Sequence, residues 1–201
     1  METGKPMLFN RWDVEGIEVN DPGLLRYINL APVVVPRSGG KFVGTQFKRN
    51  QMSIVERFMN KLMVPGHRGK RHKISSGRCV GKTQMLYASI KQSFDLIEKR
   101  TKKNPIQVFM DAIVNAATFE EVTGYRVGGM IARKAVVTSP QRRVDSALRT
   151  LAQGIYKTSF KSKTKLPEVI ANELIACAAN DSKSHAVRER QRLEKEAESS
   201  R

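Results

Sequence analysis

The apolar residues of this chain recur at helical spacing through six segments and change to a strand-like pattern once. That single change limits the folds open to it. The first segment follows Ser53, where Ile54, Val55, Phe58, Met59, Leu62 and Met63 make one apolar face until Pro65-Gly66. Ser53 and Glu56 have the spacing of a capping box. The second carries Leu86, Ile90, Phe94 and Ile97 and closes in the basic stretch Lys99 to Lys103, where cations suit a helix C-terminus. Asn104-Pro105 opens the third as a cap followed by proline at the first helical position. Its buried side is Ile106, Phe109, Ala112, Ile113 and Ala116. Segments beginning at Ser139-Pro140 and at Pro167 supply Val144, Ala147, Leu148, Leu151 and Ile155, then Ile170, Leu174, Ile175 and Ala178. The last, from about Ser184 to Ser199, is mostly charged, and reads as a surface helix or one ordered by a partner.

The change of period falls between the third and fourth segments. Val122–Val127 and Met130–Thr138 are rich in β-branched residues and flank Gly128-Gly129, the pattern of a tight hairpin. Its weak alternation and bare tip favour projection over packing. Residues 1–50 look irregular, with Pro22, Pro32 and Pro36 interrupting any helix and Gly39-Gly40 marking a turn. The expected fold is therefore mainly α: a bundle of about six helices, one protruding β-hairpin at about 120–138, and an irregular N-terminal extension. The expected domains are that extension, 1–50, and a helical domain carrying the hairpin, 51–201. The expected core includes Phe58, Leu62, Leu86, Ile90, Phe109, Ile113, Leu148 and Leu151.

Charge identifies the kind of partner. From Pro22 to Phe94 the only acid is Glu56, against 14 Lys and Arg; from Val122 to Pro167 it is Asp145, against 10. These two blocks carry +13 and +9, more than the whole net +17, because the remaining segments are slightly acidic. A surface selected for solubility alone intersperses the signs. Acid-free basic blocks call for a dense line of negative charge, and nucleic acid supplies one, with counterion release on each phosphate neutralised. Anionic lipid fits less well, because the cations are spread over loops and helices and not along one amphipathic stripe.

Catalytic and metal chemistry find little support. Gly77 to Thr83 resembles a phosphate-binding loop, but only three residues separate Gly77 from Gly81 and no apolar strand precedes it. His67, His72 and Cys79 match no zinc spacing and lack a fourth ligand. Glu56 and Asp145 read as helix-start charges. Cys79 and Cys177 read as free thiols of a reducing cytosol. No apolar run is long enough to span a membrane, and Met1–Asn10 shows no secretion signal. The loop Gly66–Lys73 is more telling: two glycines permit close backbone approach while six side chains offer donors to phosphate. On the hairpin, Arg126, Arg133 and Lys134 have no balancing acid, and a two-stranded ribbon can enter a nucleic-acid groove.

With these pieces placed, the chain resembles the universal small-subunit ribosomal protein seven family along nearly its whole length. The matching stretches are Ile54–Met63 with Gly69-Lys70-Arg71, Asn104-Pro105 with Ala112–Asn115, Arg126–Gly129, Ser139–Asp145, and Ala171–Ile175 with the closing charged helix. Trp12-Asp13, Asp21–Leu24 with Tyr27, and Gln141–Arg143 resemble the archaeal and eukaryotic branch. Thr118-Phe119 stands where the family often has proline, and Ser75–Thr83 is longer than the bacterial pattern.

The resemblance implies a structural, non-enzymatic protein of the small-subunit head, cytoplasmic, with no cofactor and no membrane contact. Implied partners are small-subunit ribosomal RNA through its 3′ major domain, exit-site transfer RNA, messenger RNA, and neighbouring head and platform proteins. It implies a role early in head assembly. Taken with the charge blocks, it names ribosomal RNA contacts at Lys48, Arg49, His67, Arg68, Lys70, Arg71, His72 and Lys73. Arg78, Lys82, Lys134, Arg142 and Arg143 follow, then Lys157, Lys161, Lys163 and Lys165. Tyr125, Arg126, Gly128, Gly129, Met130 and Arg133 form the hairpin expected near transfer and messenger RNA. A DNA-binding architectural protein and a nucleic-acid enzyme or NTPase are the competing classes.

Overall fold

A computed structural model describes residues 6–42, 44, 46, 48–65 and 81–201, and the backbone alone at 67–68 and 71–72. The helices are α1 (Pro22–Leu25), α2 (Ile54–Met63), α3 (Thr83–Thr101), α4 (Pro105–Ala116), α5 (Pro140–Ser159), α6 (Leu166–Ala178) and α7 (His185–Glu198). A 3-10 turn spans Lys48–Gln51. Strands β1 (His67–Arg68) and β2 (Arg71–His72) make a minimal antiparallel ladder, and β3 (Glu120–Val127) pairs with β4 (Met130–Val137) in the long hairpin. The six longer helices fall on the six periodic segments.

The predicted core is buried throughout. Phe58, Ile90, Phe109, Ile113, Leu148 and Leu151 have no exposed surface, and Leu62 and Leu86 have almost none. Phe58 and Phe94 meet Phe109 from two sides, at ring separations of 5.1 and 6.1 Å. These contacts join α2, α3 and α4, while α5 and α6 complete the bundle against α4. Asn104 caps α4 as its sequence suggests, its Oδ1 accepting from the Ile106 amide. The Ser53 box does not form. Ser53 makes no side-chain cap bond, and the Glu56 carboxylate instead accepts from both the amide and the hydroxyl of Ser38. An incoming loop thus satisfies the carboxylate that local spacing had assigned to the helix end. Cys177 is buried and donates its thiol proton to the Ala112 carbonyl; burial pushes its pKa up to about 12.

The N-terminal segment is threaded into the same core. Leu8, Phe9, Trp12, Leu24 and Ile28 are buried in it, with Phe9 and Trp12 edge-on to Phe94. Arg11 fixes this strap to α3 by ion pairs of 2.6 Å to Asp95 and 2.8 Å to Glu98. Val33, Val34 and Val35, by contrast, stay exposed.

The closing helix docks on its own domain. Ala186, Val187 and Ala197 are buried, and Ser184 caps α7 by accepting from the amides of Ala186 and Val187. Buried Glu173 reinforces that cap, its Oε1 accepting from the Ser184 hydroxyl and from the amides of His185 and Ala186. A carboxylate at a helix N-terminus is favoured by the unpaired amides and the dipole. Room for it comes from Gly154 on α5. A Cβ at that position would stand 2.8 Å from the His185 Cβ and 3.0 Å from Glu173 Oε1.

Gly154→Ala should therefore destabilise the protein, although in an open helix the change gains up to about 1 kcal/mol in propensity. A rise in thermal midpoint would show that α7 yields without cost. Leu148→Ala, at a site with no exposure, should lower unfolding free energy by roughly 2–5 kcal/mol in denaturant titration.

Candidate nucleic-acid interface

Helix α5 has two opposed faces. Val144, Ala147, Leu148, Leu151 and Ile155 point into the core. Arg142, Arg149 and Lys157, spaced by about two turns each, share the other side. Three adjoining clefts follow that side. One, between α5 and α2, is lined by Arg49, Arg57, Lys61, Asp145 and Arg149. A second, at the start of α5, brings Tyr27 and Asn50 beside Arg142, Asp145 and Arg149. The third, between α5 and α7, sets Arg142, Arg149 and Lys157 opposite Glu121, Glu189 and Glu196. The shared residues make one continuous basic surface.

Its electrostatics turn on few acids. Asp145 pairs with Arg49 and Arg57, both at 3.2 Å. The Arg57 side chain is only 2% exposed and also donates to the Tyr27 carbonyl at 2.6 Å. Burial pulls the Arg57 guanidinium below its usual pKa, and Asp145 opposes the shift. Burial likewise lowers Lys61, again against Asp145, with Arg149, Arg49 and Arg57 adding to the lowering. Asp145 thus serves as a counter-charge between elements, correcting its reading as a helix-start charge. Arg142 reaches Glu121 on β3 at 2.6 Å and ties the helix to the hairpin root.

Arg143 departs from expectation. The sequence places it among the RNA contacts, yet it is buried, 2.7 Å from the Asp21 carboxylate, with its guanidinium 4.1 Å over the Phe119 ring. The helix phase explains this: Arg143 adjoins inward-facing Val144, so its charge has to be neutralised inside. Phe119, the residue in the place of the family's frequent proline, provides the stacking surface. Arg143 joins the N-terminal segment, α5 and the hairpin root.

The other expected residues divide by location. Lys48 and Arg49 are exposed on the 3-10 turn, Lys82 at the start of α3, and Lys134 on β4. Lys157, Lys161, Lys163 and Lys165 form an exposed basic corner from the end of α5 to the start of α6, with no ion pair among the described residues. His67, Arg68, Arg71 and His72 are placed by backbone only, His67 opposite His72 and Arg68 opposite Arg71. Lys70, Lys73, Arg78 and Cys79 lie outside the described residues. Arg57, Lys61 and Arg149 escaped the sequence reading. The seven-residue spacing of Arg142 and Arg149, and that of four between Arg57 and Lys61, are signals that would have found them.

The hairpin leaves the body beyond its root. Gly128 and Gly129 turn it with φ of +54° and +88°, a left-handed pair that fits the two-residue turn. Met130 is 76% and Ile131 69% exposed, and Tyr125, Arg126 and Arg133 are exposed too. The register pairs Arg126 with Ile131 and Gly124 with Arg133, so Arg126, Ile131 and Arg133 share one face. Tyr125, Val127, Met130 and Lys134 share the other. The root is held by α7, where Glu194 accepts from the Phe119 amide, and by an ion pair between Arg201 and Glu120.

A helical body with a continuous basic face and a projecting ribbon matches a known protein family. The model of ribosomal protein S7p/S5e matches residues 26–201. The chain belongs to that family. Among relatives named small ribosomal subunit protein uS7, that of Nanoarchaeum equitans is 45% identical over 98% of this chain and all of its own length. Those of Archaeoglobus fulgidus and Methanoregula boonei are 41% and 40% identical, over 97% and 98% of this chain and 95% and 91% of their own. Membership agrees with the resemblance read from the motifs, including its archaeal branch.

Two substitutions separate the roles of neighbouring cations in this S7p/S5e chain. Arg143→Ala should cost stability on the order of 3 kcal/mol, because Asp21 is left without its partner. Lys157→Ala should leave the unfolding free energy within about half a kcal/mol of the unaltered protein while lowering the salt slope of RNA binding by about one. Equal melting temperatures for the two variants would remove the internal role of Arg143.

Proposed function

We propose that this chain is a structural, non-enzymatic constituent of the small ribosomal subunit that binds ribosomal RNA of the 3′ major domain and helps to nucleate the head. The observation that carries the reading is the exposed side of α5 with the Lys157–Lys165 corner: a run of cations, most of them without an acidic partner, on a rigid helix fixed by the core. Folded RNA is recognised largely through shape and phosphate positions, and such a face offers fixed donors at helical intervals. The relatives' name as small ribosomal subunit proteins supports the same setting. The loop Arg68–Lys73 adds further phosphate donors in this reading.

The hairpin has a separate role. Its tip contributes nothing to the buried core, so it is free to reach a second RNA. In the proposed role it extends toward exit-site transfer RNA and messenger RNA, with Arg126 and Arg133 toward phosphate and Tyr125 and Met130 on the opposite face. Neighbouring proteins of the head and platform complete the contacts.

Replacement of Arg126–Ile131 by a short Gly-Ser turn should leave helical circular dichroism and filter binding to a 3′ major domain fragment near wild type. The resulting subunits should assemble but hold the reading frame less well in a frameshift reporter. Normal frame maintenance would overturn the hairpin's role, and lost filter binding would overturn the separation of the two surfaces.

A further inference from the structure

The cleft between α2 and α5 sets four cations and one carboxylate beside apolar side chains. It is a cavity of about 310 Å³, within the span of small-ligand sites, and not merely a charged surface. Its cations are Arg49, Arg57, Lys61 and Arg149, against the single carboxylate of Asp145. The rest of its wall is largely apolar, made by the Met52 side chain, by Val64 at the end of α2 and by buried Ala152 of α5, with the Asn60 amide donating to the Met52 sulfur.

The charge inside is uncompensated. Asp145 is shared between Arg49 and Arg57, which leaves the site with a surplus of three positive charges. Buried Arg57 keeps its Nε–H without an acceptor among the described residues, and Lys61 is held half-buried among like charges. Groups so placed gain from an anion that enters. An anion alone does not account for the apolar wall, and an apolar guest alone does not account for the cations. A nucleotide satisfies both, because its base has a flat face for aliphatic, thioether and guanidinium surfaces and its phosphate carries the charge.

We propose that this cavity receives one unstacked ribonucleotide of the bound RNA, its base against Met52, Val64 and Ala152 and its phosphate held by Arg49, Lys61 and Arg149. The inference rests on the RNA-binding reading above and deepens it: the α5 face reads phosphate positions, and this cavity adds a contact that only a splayed-out base can make. RNA junctions and loops supply such bases, whereas a continuous duplex does not.

Val64 is exposed at the end of α2, so Val64→Trp fills the cavity mouth without altering charge. Its affinity for the 3′ major domain fragment should fall about tenfold, within the range for loss of one stacked base, with the salt slope lowered by no more than about one. Met52→Ala, which removes wall without filling, is the companion variant and should lose at least about threefold should Val64→Trp fail to fold. Methyl NMR of Met52 supplies a direct readout: uridine or adenosine monophosphate should shift its signal and saturate below ribose 5-phosphate. Undiminished affinity in the folded variants, or equal saturation by ribose 5-phosphate, would overturn the nucleotide pocket while leaving RNA binding intact. Failure of the unaltered protein to bind the fragment would instead overturn the RNA-binding reading itself.

Discussion

The contact between α2 and α5 depends on one carboxylate. Asp145 is the only acid between Val122 and Pro167, and it faces Arg57, a nearly inaccessible cation. Burying a guanidinium without a partner is costly, whereas a paired and hydrogen-bonded one can be accommodated. Asp145 and the Tyr27 carbonyl each accept from one of the terminal nitrogens of Arg57. That fixes the α2–α5 spacing, opens the cavity between them and orients Arg49 across its mouth. The pairing places cations more than it strengthens the fold, since an apolar pair of similar volume would serve stability as well.

The same economy recurs wherever the basic blocks meet the core. Glu56, the lone acid of the first block, holds the Ser38 turn. Asp21, just before that block, neutralises Arg143, and the Arg143 guanidinium in turn stacks on Phe119 at the hairpin root. These acids tie elements together; exposed Arg49 and Arg142 pair with acids, whereas Lys157, Lys161, Lys163 and Lys165 have no acidic partner among the described residues. The acids of α7 lie on the far wall of the third cleft and pair largely within their own helix, as Arg192 does with Glu189 and Glu196. They bound the basic face on that side.

The hairpin and the N-terminal strap are attached to the body in different ways. The hairpin is supported only at its root, by α7, by the Arg142–Glu121 pair and by the Arg143–Phe119 stack. Antiparallel pairing stiffens the ribbon along its length, and the tip stays exposed, with no packing on it among the described residues. The N-terminal strap is fixed differently, with Phe9 and Trp12 in the core and Arg11 clamped to α3. Residues that looked irregular in sequence thus contribute to the core that positions the basic face.

The six longer helices, the hairpin and its turn, and the core set were legible in the sequence, because each follows from local period and from residues with narrow conformational roles; the short α1 was not, since Pro22, read as a helix breaker, instead opens it behind the Asp21 cap. The six apolar stripes, Asn104-Pro105 and Gly128-Gly129 needed no tertiary information. The sense of the surface charge was legible for the same reason: two blocks with one acid each cannot neutralise themselves. Tertiary structure decided which cation goes where. Arg142 and Arg143 are adjacent and alike in sequence, yet a step of one residue around α5 sends one to the surface and the other to Asp21. Arg57, Lys61 and Arg149 form a cavity only because α2 lies against α5, and the Ser53–Glu56 box gave way because Ser38, distant in sequence, offered Glu56 two donors. Local pattern determines what each segment is; long-range burial and charge pairing determine which of its polar groups remain free to meet a partner.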